Sequence, residues 1–143
     1  MRQKVFAYVV RERGCRPELL VFRCPLEPGF EVPKGSIEPG ERPEEAVLRE
    51  VAEESGLAAA IRRSLGAAVW VPPWDAPAEE QHFFLLAPAG PAPDSWVHEV
   101  GGDGPDAGER YAFQWLALDG APDSLLVQGA ARMLGALRAA LAV

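Results

Sequence analysis

Cysteine is scarce in this chain, and its placement suggests no disulfide framework. There are two: Cys15 in a polar, turn-like stretch (RERGCRPE) and Cys24 at the end of an apolar run. The opening MRQKVFAYVVRERG lacks the long apolar segment of a secretory leader, so both are expected as free thiols in a reducing compartment. No Cys-x-x-Cys pair or Cys/His spacing points to zinc. Basic residues are also in deficit. Fourteen Lys plus Arg against 21 Asp plus Glu leave a net charge of −7 and a pI near 4.8. A protein that coats a nucleic-acid polymer needs a basic face, so that partner is excluded as the main one. No apolar run is long enough to span a bilayer, so no membrane partner is expected. A cytoplasmic, soluble protein is the expectation that these absences leave. A phosphorylated small molecule stays open as a ligand, provided that cations are recruited locally.

What is present fits one domain over residues 1–143 with a real core: apolar residues are 48% of the chain and charged ones 24%. KVFAYVV (4–10) and ELLVFR (18–23) read as a β-hairpin across a Gly/charge turn. The Pro- and Gly-rich stretch after them reads as a loop with a short strand at 30–32. Residues 43–55 have helical period, 57–70 read as a strand that is bent or of uncertain register, and 81–87 as a further strand. Strands are expected again at 95–100 and 110–118, on either side of the acidic, glycine-rich GGDGPDAGE. The C-terminal SLLVQGAARMLGALRAALA reads as one long amphipathic helix, preceded by Pro122. This order gives an α/β or α+β sandwich, with helices on both faces of a mixed β-sheet.

The helix at 43–55 is oddly charged. Val47, Leu48, Val51, Ala52 and Ser55 share one side at about 100° per residue, and Glu50, Glu53 and Glu54 share the opposite one. Like charges four apart cost roughly 0.2–0.5 kcal/mol. Acids in the last turn, at the negative end of the dipole, cost about 0.3–1 kcal/mol each. Arg49 can reach Glu53 or Glu45. At the other end Arg42 occupies the N-cap, where a Ser or Thr would accept a hydrogen bond that Arg cannot. Two readings are open at this point: a solvated charged face, or a ledge whose carboxylates are offset by a hard divalent cation.

The loop before the helix adds to the second reading. Gly35, Glu41, Arg49-Glu50-Val51, Glu53-Glu54 and Gly56-Leu57 fall at the spacing G-x5-E-x7-R-E-U-x-E-E-x-G-U, with U aliphatic. This resembles the Nudix box at every specified position, and the surrounding element order and chain length resemble small MutT-like members of that superfamily. Gly35 allows close backbone approach, Pro43 suits the first helical turn, and Gly56 suits a left-handed C-cap. The resemblance implies a Nudix-type α/β/α sandwich and a hydrolase that uses Mg2+ (or Mn2+) against a diphosphate. It further implies Glu50, Glu53 and Glu54 as catalytic residues. These three and the Gly35 carbonyl would be metal ligands, and Glu50 would be either a ligand or the base that activates water. Glu41 and Arg49 are implied as supporting residues.

The implied substrate is a nucleotide: a nucleoside diphosphate linked to another moiety, foremost a nucleoside or dinucleoside polyphosphate. ADP-ribose and oxidised nucleoside triphosphates are runners-up, and a nucleotide-sensing domain without turnover is the reading from another class. Pro33-Lys34-Gly35 resembles the start of the box in diadenosine and inositol polyphosphate hydrolases, so Lys34 is a candidate for a distal phosphate. Pro72 and Pro73 resemble a proline associated with ADP-ribose hydrolases. Among the aromatic residues Trp74, in a loop, is the candidate for base stacking. Glu99 and Glu109, which flank the acidic loop, are candidates at the substrate, and Glu79, Glu80 and Asp103 are further candidates for an acid outside the box. His82 is expected to be structural. Monomer and homodimer are both compatible with the sequence.

Overall fold

The computed structural model describes residues 1–23, 25–120 and 123–142. Cys24 and Pro122 lie outside them, and among the described residues Cys15 is a free, exposed cysteine. Among the described residues eight strands form one mixed sheet: β1 (Arg2–Arg13), β2 (Arg16–Arg23), β3 (Phe30–Glu31), β4 (Lys34–Ser36), β5 (Ala59–Trp70), β6 (Glu79–Pro88), β7 (Ser95–Glu99) and β8 (Arg110–Ala117). Helix α1 (Pro43–Ser55) joins β4 to β5, and α2 (Gln128–Ala131) and α3 (Leu134–Leu141) follow β8. The main strand order is β5-β6-β1-β2-β8-β7. Among the described strands only β1 and β6 run parallel, with Arg2 opposite Glu79 through Val9 opposite Leu86.

The sheet forks, and the fork positions the site. β1 pairs with β2 only over Val10–Arg13. Nearer its start, β1 turns the same edge to β4, with Lys4, Val5 and Phe6 opposite Ser36, Gly35 and Lys34. β2 likewise turns to β3 at Phe22 and Arg23. The two halves therefore diverge, and β3 and β4 line the gap.

Strand side chains alternate between two buried faces. Phe6, Tyr8, Val10, Leu19, Val21, Phe83 and Leu85 pack under the C-terminal helices through Leu126, Val127, Ala130, Leu134 and Leu137. Val5, Ala7, Val9, Leu20, Phe22, Phe84, Leu86 and Phe113 pack under α1 through Ala46, Val47 and Val51. Burial of both faces is why VFAYVV (5–10) is continuously apolar rather than alternating. The expected α/β sandwich, with helices on both sides of a mixed sheet, is the fold. β5, an edge strand, shows register shifts at Ile61/Arg63 and Ser64/Gly66; such bulges blunt an exposed edge against pairing with other chains.

Two expectations need correction. The long C-terminal helix is interrupted: a 3-10 turn at Asp123–Leu125 precedes α2, and Arg132 and Met133 separate α2 from α3. The cause is Tyr8. Its buried hydroxyl donates to the Ala130 carbonyl at 2.5 Å and accepts from the Met133 N–H at 3.2 Å, and so occupies the positions that the next helical turn would use. Upstream, Val127 is held extended by its N–H to the Phe30 carbonyl at 2.8 Å.

The second correction concerns α1. Its buried residues are Ala46, Val47, Glu50, Val51, Glu54 and Ser55, whereas Leu48 is 38% exposed and Ala52 faces solvent. The buried stripe is thus turned toward the acids, and Glu50 and Glu54 point inward at the fork in the sheet. At the N-cap, Glu45 supplies the half of the capping box that Arg42 does not prevent: its Oε1 accepts from the Arg42 N–H at 3.0 Å and from Nε at 3.3 Å. Among the described residues no helix is long and apolar enough to cross a membrane.

Candidate active site

A cavity of about 460 Å3 opens in the fork, lined by Gly35, Arg49, Glu50, Glu53 and Glu54 on the α1 side and by Phe22, Glu31, Asp106 and Tyr111 across it. Glu50 is 9% exposed and Glu54 4%. Gly35 is required here by contact rather than by turn geometry, because a Cβ at that position would overlap the Glu50 carboxylate. Glu54 Oε1 accepts the Lys34 N–H at 3.0 Å. The strand carrying Gly35 and the helix carrying the acids are thus in direct contact.

Arg49 organises the cluster. Its Nε and Nη2 donate to the two oxygens of Glu41 at 2.8 and 2.9 Å, a bidentate pair. Nη2 also reaches the Ser36 carbonyl at 2.9 Å, and Nη1 donates to Glu50 at 2.9 Å and Glu53 at 3.2 Å. The expected reach to Glu53 is made, whereas Glu45 pairs with Arg42 instead. Glu41 in turn accepts the Glu38 N–H at 3.0 Å. Its carboxyl is held below the usual carboxylate range, chiefly by Arg49.

The negative end of α1 is met by donors. Gly56 takes the left-handed cap, φ 78°, with its N–H on the Ala52 carbonyl. Trp96 Nε1 donates to the Ser55 carbonyl at 2.8 Å, and His98 Nε2 lies 3.1 Å from the Glu53 carbonyl. A carbonyl only accepts, so Nε2 carries the hydrogen. The Gly101 N–H adds a further bond to Glu53 O at 2.9 Å.

Burial sets the titration of the inner acids. Glu50 is pushed up to about 7, chiefly by burial and against the opposing effect of Arg49. Glu54 is pushed up to about 10 by burial and then by a hydrogen bond with Asp106. Burial, followed by the charge of Asp106, also raises the Tyr111 hydroxyl.

The structure brings Gly35, Lys34, Arg49, Glu50, Glu53 and Glu54 to one cavity, with Glu41 behind Arg49. Lys34 Nζ sits 3.0 Å from Glu31 Oε2. Three substrate candidates lie elsewhere. Trp74 is 62% exposed beyond the end of β5, edge-on to Trp70 at 5.6 Å. Glu99 and Glu109 stand exposed where β7 meets β8, and neither lines the cavity. The acidic loop between them is not a loose flap: Val100 and Glu109 close it, Asp106 O accepts from the Glu109 N–H, and Asp103 and Asp106 line the cavity. Sequence reasoning missed Glu31, Asp106, Tyr111 and the stacked Phe22–Tyr111 wall, whose ring centroids lie 4.3 Å apart. A Glu between two aliphatic or aromatic residues (Phe30-Glu31-Val32) was an available signal for a buried acid.

Whether this donor set suits a divalent ion follows from its chemistry. Among the described residues no three acidic, His or Cys side chains already converge as a ligand set, because Arg49 holds Glu50 and Glu53 by their oxygens. Hard carboxylate oxygens, two of them on acids whose charged form is disfavoured by burial, nonetheless match Mg2+ or Mn2+ in kind, and a cation would favour the ionised forms. The residues fit such an ion.

The fold is an α/β/α sandwich around a mixed sheet. The model described as NUDIX domain matches residues 1–137, and the chain belongs to that family of pyrophosphohydrolases. Among solved structures, a C. elegans Ap4A hydrolase in a binary complex superposes with a TM-score of 0.72 at 18% identity, covering 99% of this chain and 98% of that one. A Streptococcus suis ADP-ribose pyrophosphatase gives 0.64 at 21%, covering 97% and 91%. A structure described as UDP-X diphosphatase gives 0.66 at 19%, and this chain spans 96% of itself but only 61% of that protein. At these identities the likeness is one of fold. No curated protein matches the chain.

Proposed function

We propose that this protein is a cytoplasmic, divalent-metal-dependent hydrolase that cleaves the pyrophosphate linkage of nucleoside diphosphate-linked compounds, foremost nucleoside or dinucleoside polyphosphates. The observation that carries this reading is the pair of buried carboxylates, Glu50 and Glu54, turned into a cavity against the backbone of Gly35. Burying two acids side by side is costly unless a cation compensates them.

Glu50, Glu53, Glu54 and the Gly35 carbonyl would hold Mg2+ or Mn2+. When bound, the ion neutralises phosphate charge and acidifies water. Glu50, against the Gly35 backbone, would be either a ligand to that ion or the base that takes the proton from water. Arg49 fixes the direction of Glu50 and Glu53 and is itself fixed by Glu41. Lys34, which lines the cavity with its ammonium paired to Glu31, would turn to a distal phosphate, and the half-buried Tyr111 ring, backed by Phe22, would offer an apolar face to a base. Neighbours of the same fold are named for Ap4A, ADP-ribose and UDP-X, so fold alone does not choose among them.

A release screen with Mg2+ tests the reading across dinucleoside polyphosphates, deoxynucleoside triphosphates and their oxidised forms, ADP-ribose and nucleotide sugars. Turnover of one class, lost in Glu53→Gln and Glu54→Gln, is the expected result. Tight nucleotide binding without turnover of any class would instead make the protein a sensor.

A further inference from the structure

We propose that Trp96 and His98 of β7 are positioning residues for the carboxylates of α1, acting through the carbonyls of its last turn. The inference rests on the metal-dependent hydrolase reading above and extends it to a strand outside the helix and its preceding loop.

Trp96 and His98 are alternate residues of one strand, so they point to the same side. Both side chains donate into the end of α1: Trp96 Nε1 to Ser55 O at 2.8 Å, and His98 Nε2 to Glu53 O at 3.1 Å. The chain then continues to Gly101, whose N–H makes a second bond to the same Glu53 carbonyl at 2.9 Å. Gly102 brings its backbone against the Glu53 side chain, where a Cβ would stand 2.7 Å from the carboxyl carbon. Gly56 makes the reciprocal allowance, since a Cβ there would come within 2.9 Å of the His98 ring.

Glu53 is therefore clamped at its carbonyl by two donors and flanked at its carboxylate by a glycine. Glu54, the next residue, inherits the same backbone placement. The last turn of a helix normally frays, with unpaired carbonyls. Here the turn that carries two acids is tied to the sheet, and Trp96 is itself fixed by stacking on Phe113 at 5.4 Å. Partners that orient ligands without touching the ion typically change affinity or activity by about 10–100-fold when removed.

The test uses the whole chain and three variants: His98→Leu, which removes the donor; His98→Gln, which restores one; and Trp96→Phe, which removes the N–H and keeps a ring on Phe113. Mn2+ affinity is read by titrating free Mn2+ with electron paramagnetic resonance, alongside kcat and KM. Expected are a loss of about tenfold or more in Mn2+ affinity and kcat for His98→Leu, KM within about twofold, and recovery in His98→Gln. Trp96→Phe should move the same quantities in the same direction, and it carries the test if His98→Leu does not fold. Folded variants with wild-type Mn2+ affinity and kcat overturn the inference alone. A wild-type protein that binds no Mn2+ overturns the reading of the site and this inference with it.

Discussion

Arg49 and Glu41 form a two-pronged ion pair, Nε to Oε2 at 2.8 Å and Nη2 to Oε1 at 2.9 Å, and the third nitrogen of the same guanidinium is thereby aimed at Glu50 and Glu53. The geometry makes a chain of dependence: Glu41 sets the plane of Arg49, and Arg49 sets the direction of the two acids. Lysine has one charged nitrogen and cannot grip a carboxylate in two places while reaching two more. Arg49→Lys is expected to lower kcat by about 10–100-fold with a melting temperature within a few degrees of wild type. Glu41→Gln should reproduce much of that loss. In the double variant the losses should fall well short of multiplying, because both remove one arrangement. Fully multiplicative losses would show that the two residues act separately.

The inner acids predict an inverted pH dependence of stability. A group whose folded pKa exceeds its unfolded one holds a proton in the folded state that the unfolded chain releases, so its contribution is complete below the unfolded pKa and is lost as pH rises through the folded one. For Glu50 the window runs from its ordinary 4.5 to about 7, and for Glu54 from 4.5 to about 10. In a chelator, the melting temperature should therefore fall as pH is raised across this range. Glu54→Gln, which stays neutral, should flatten the alkaline part of the decline. Scanning calorimetry at several pH values reads this directly, and a melting temperature that climbs through the window in wild type would contradict the burial argument.

Tyr8 offers a prediction on stability alone. Its hydroxyl serves both Ala130 O and Met133 N–H across the break between α2 and α3. Tyr8→Phe leaves both backbone groups without that partner, at a cost of about 1–3 kcal/mol. For a chain of this size each kcal/mol lowers the melting temperature by about 2–4 °C. The hydroxyl bonds under the C-terminal helices, on the face of the sheet away from α1, so kcat and KM should stay as in wild type. Urea unfolding beside steady-state kinetics checks both halves of the expectation.

What the sequence disclosed and what it hid divide along contact range. The box from Gly35 to Leu57 was legible because its chemistry lies on one loop and one helix at fixed spacing. The burial of Glu50 and Glu54 was not, because periodicity assigns acids to solvent and aliphatics such as Leu48 to the core. Here the fork in the sheet draws the acids in. Glu31 reaches the cavity through the pairing of β3 with β2, Tyr111 from β8 and Asp106 from the loop that precedes β8, which no local pattern encodes. The C-terminal helix was misread as continuous because the group that interrupts it lies 122 residues away in sequence.

The sharpest test of the site's geometry is one methyl group. Gly35 lies in β4 opposite Val5, and its φ is not in the left-handed region. Alanine is therefore acceptable to the backbone, and the atoms nearest the added Cβ are those of the Glu50 carboxylate. Gly35→Ala should fold with a melting temperature within a few degrees of wild type, yet lose about 100-fold or more in kcat, because Glu50 is forced out of the position that Arg49 and the cavity define. Gly102→Ala differs in kind. Its φ of 77° disfavours any side chain and its Cβ meets Glu53, so both stability and activity should fall. If Gly35→Ala acts through Glu50 alone, shortening that side chain should make room: Gly35→Ala combined with Glu50→Asp should be more active than the product of the two single losses. Equal or lower activity in the pair would place the need for glycine in the strand itself rather than in the contact with Glu50.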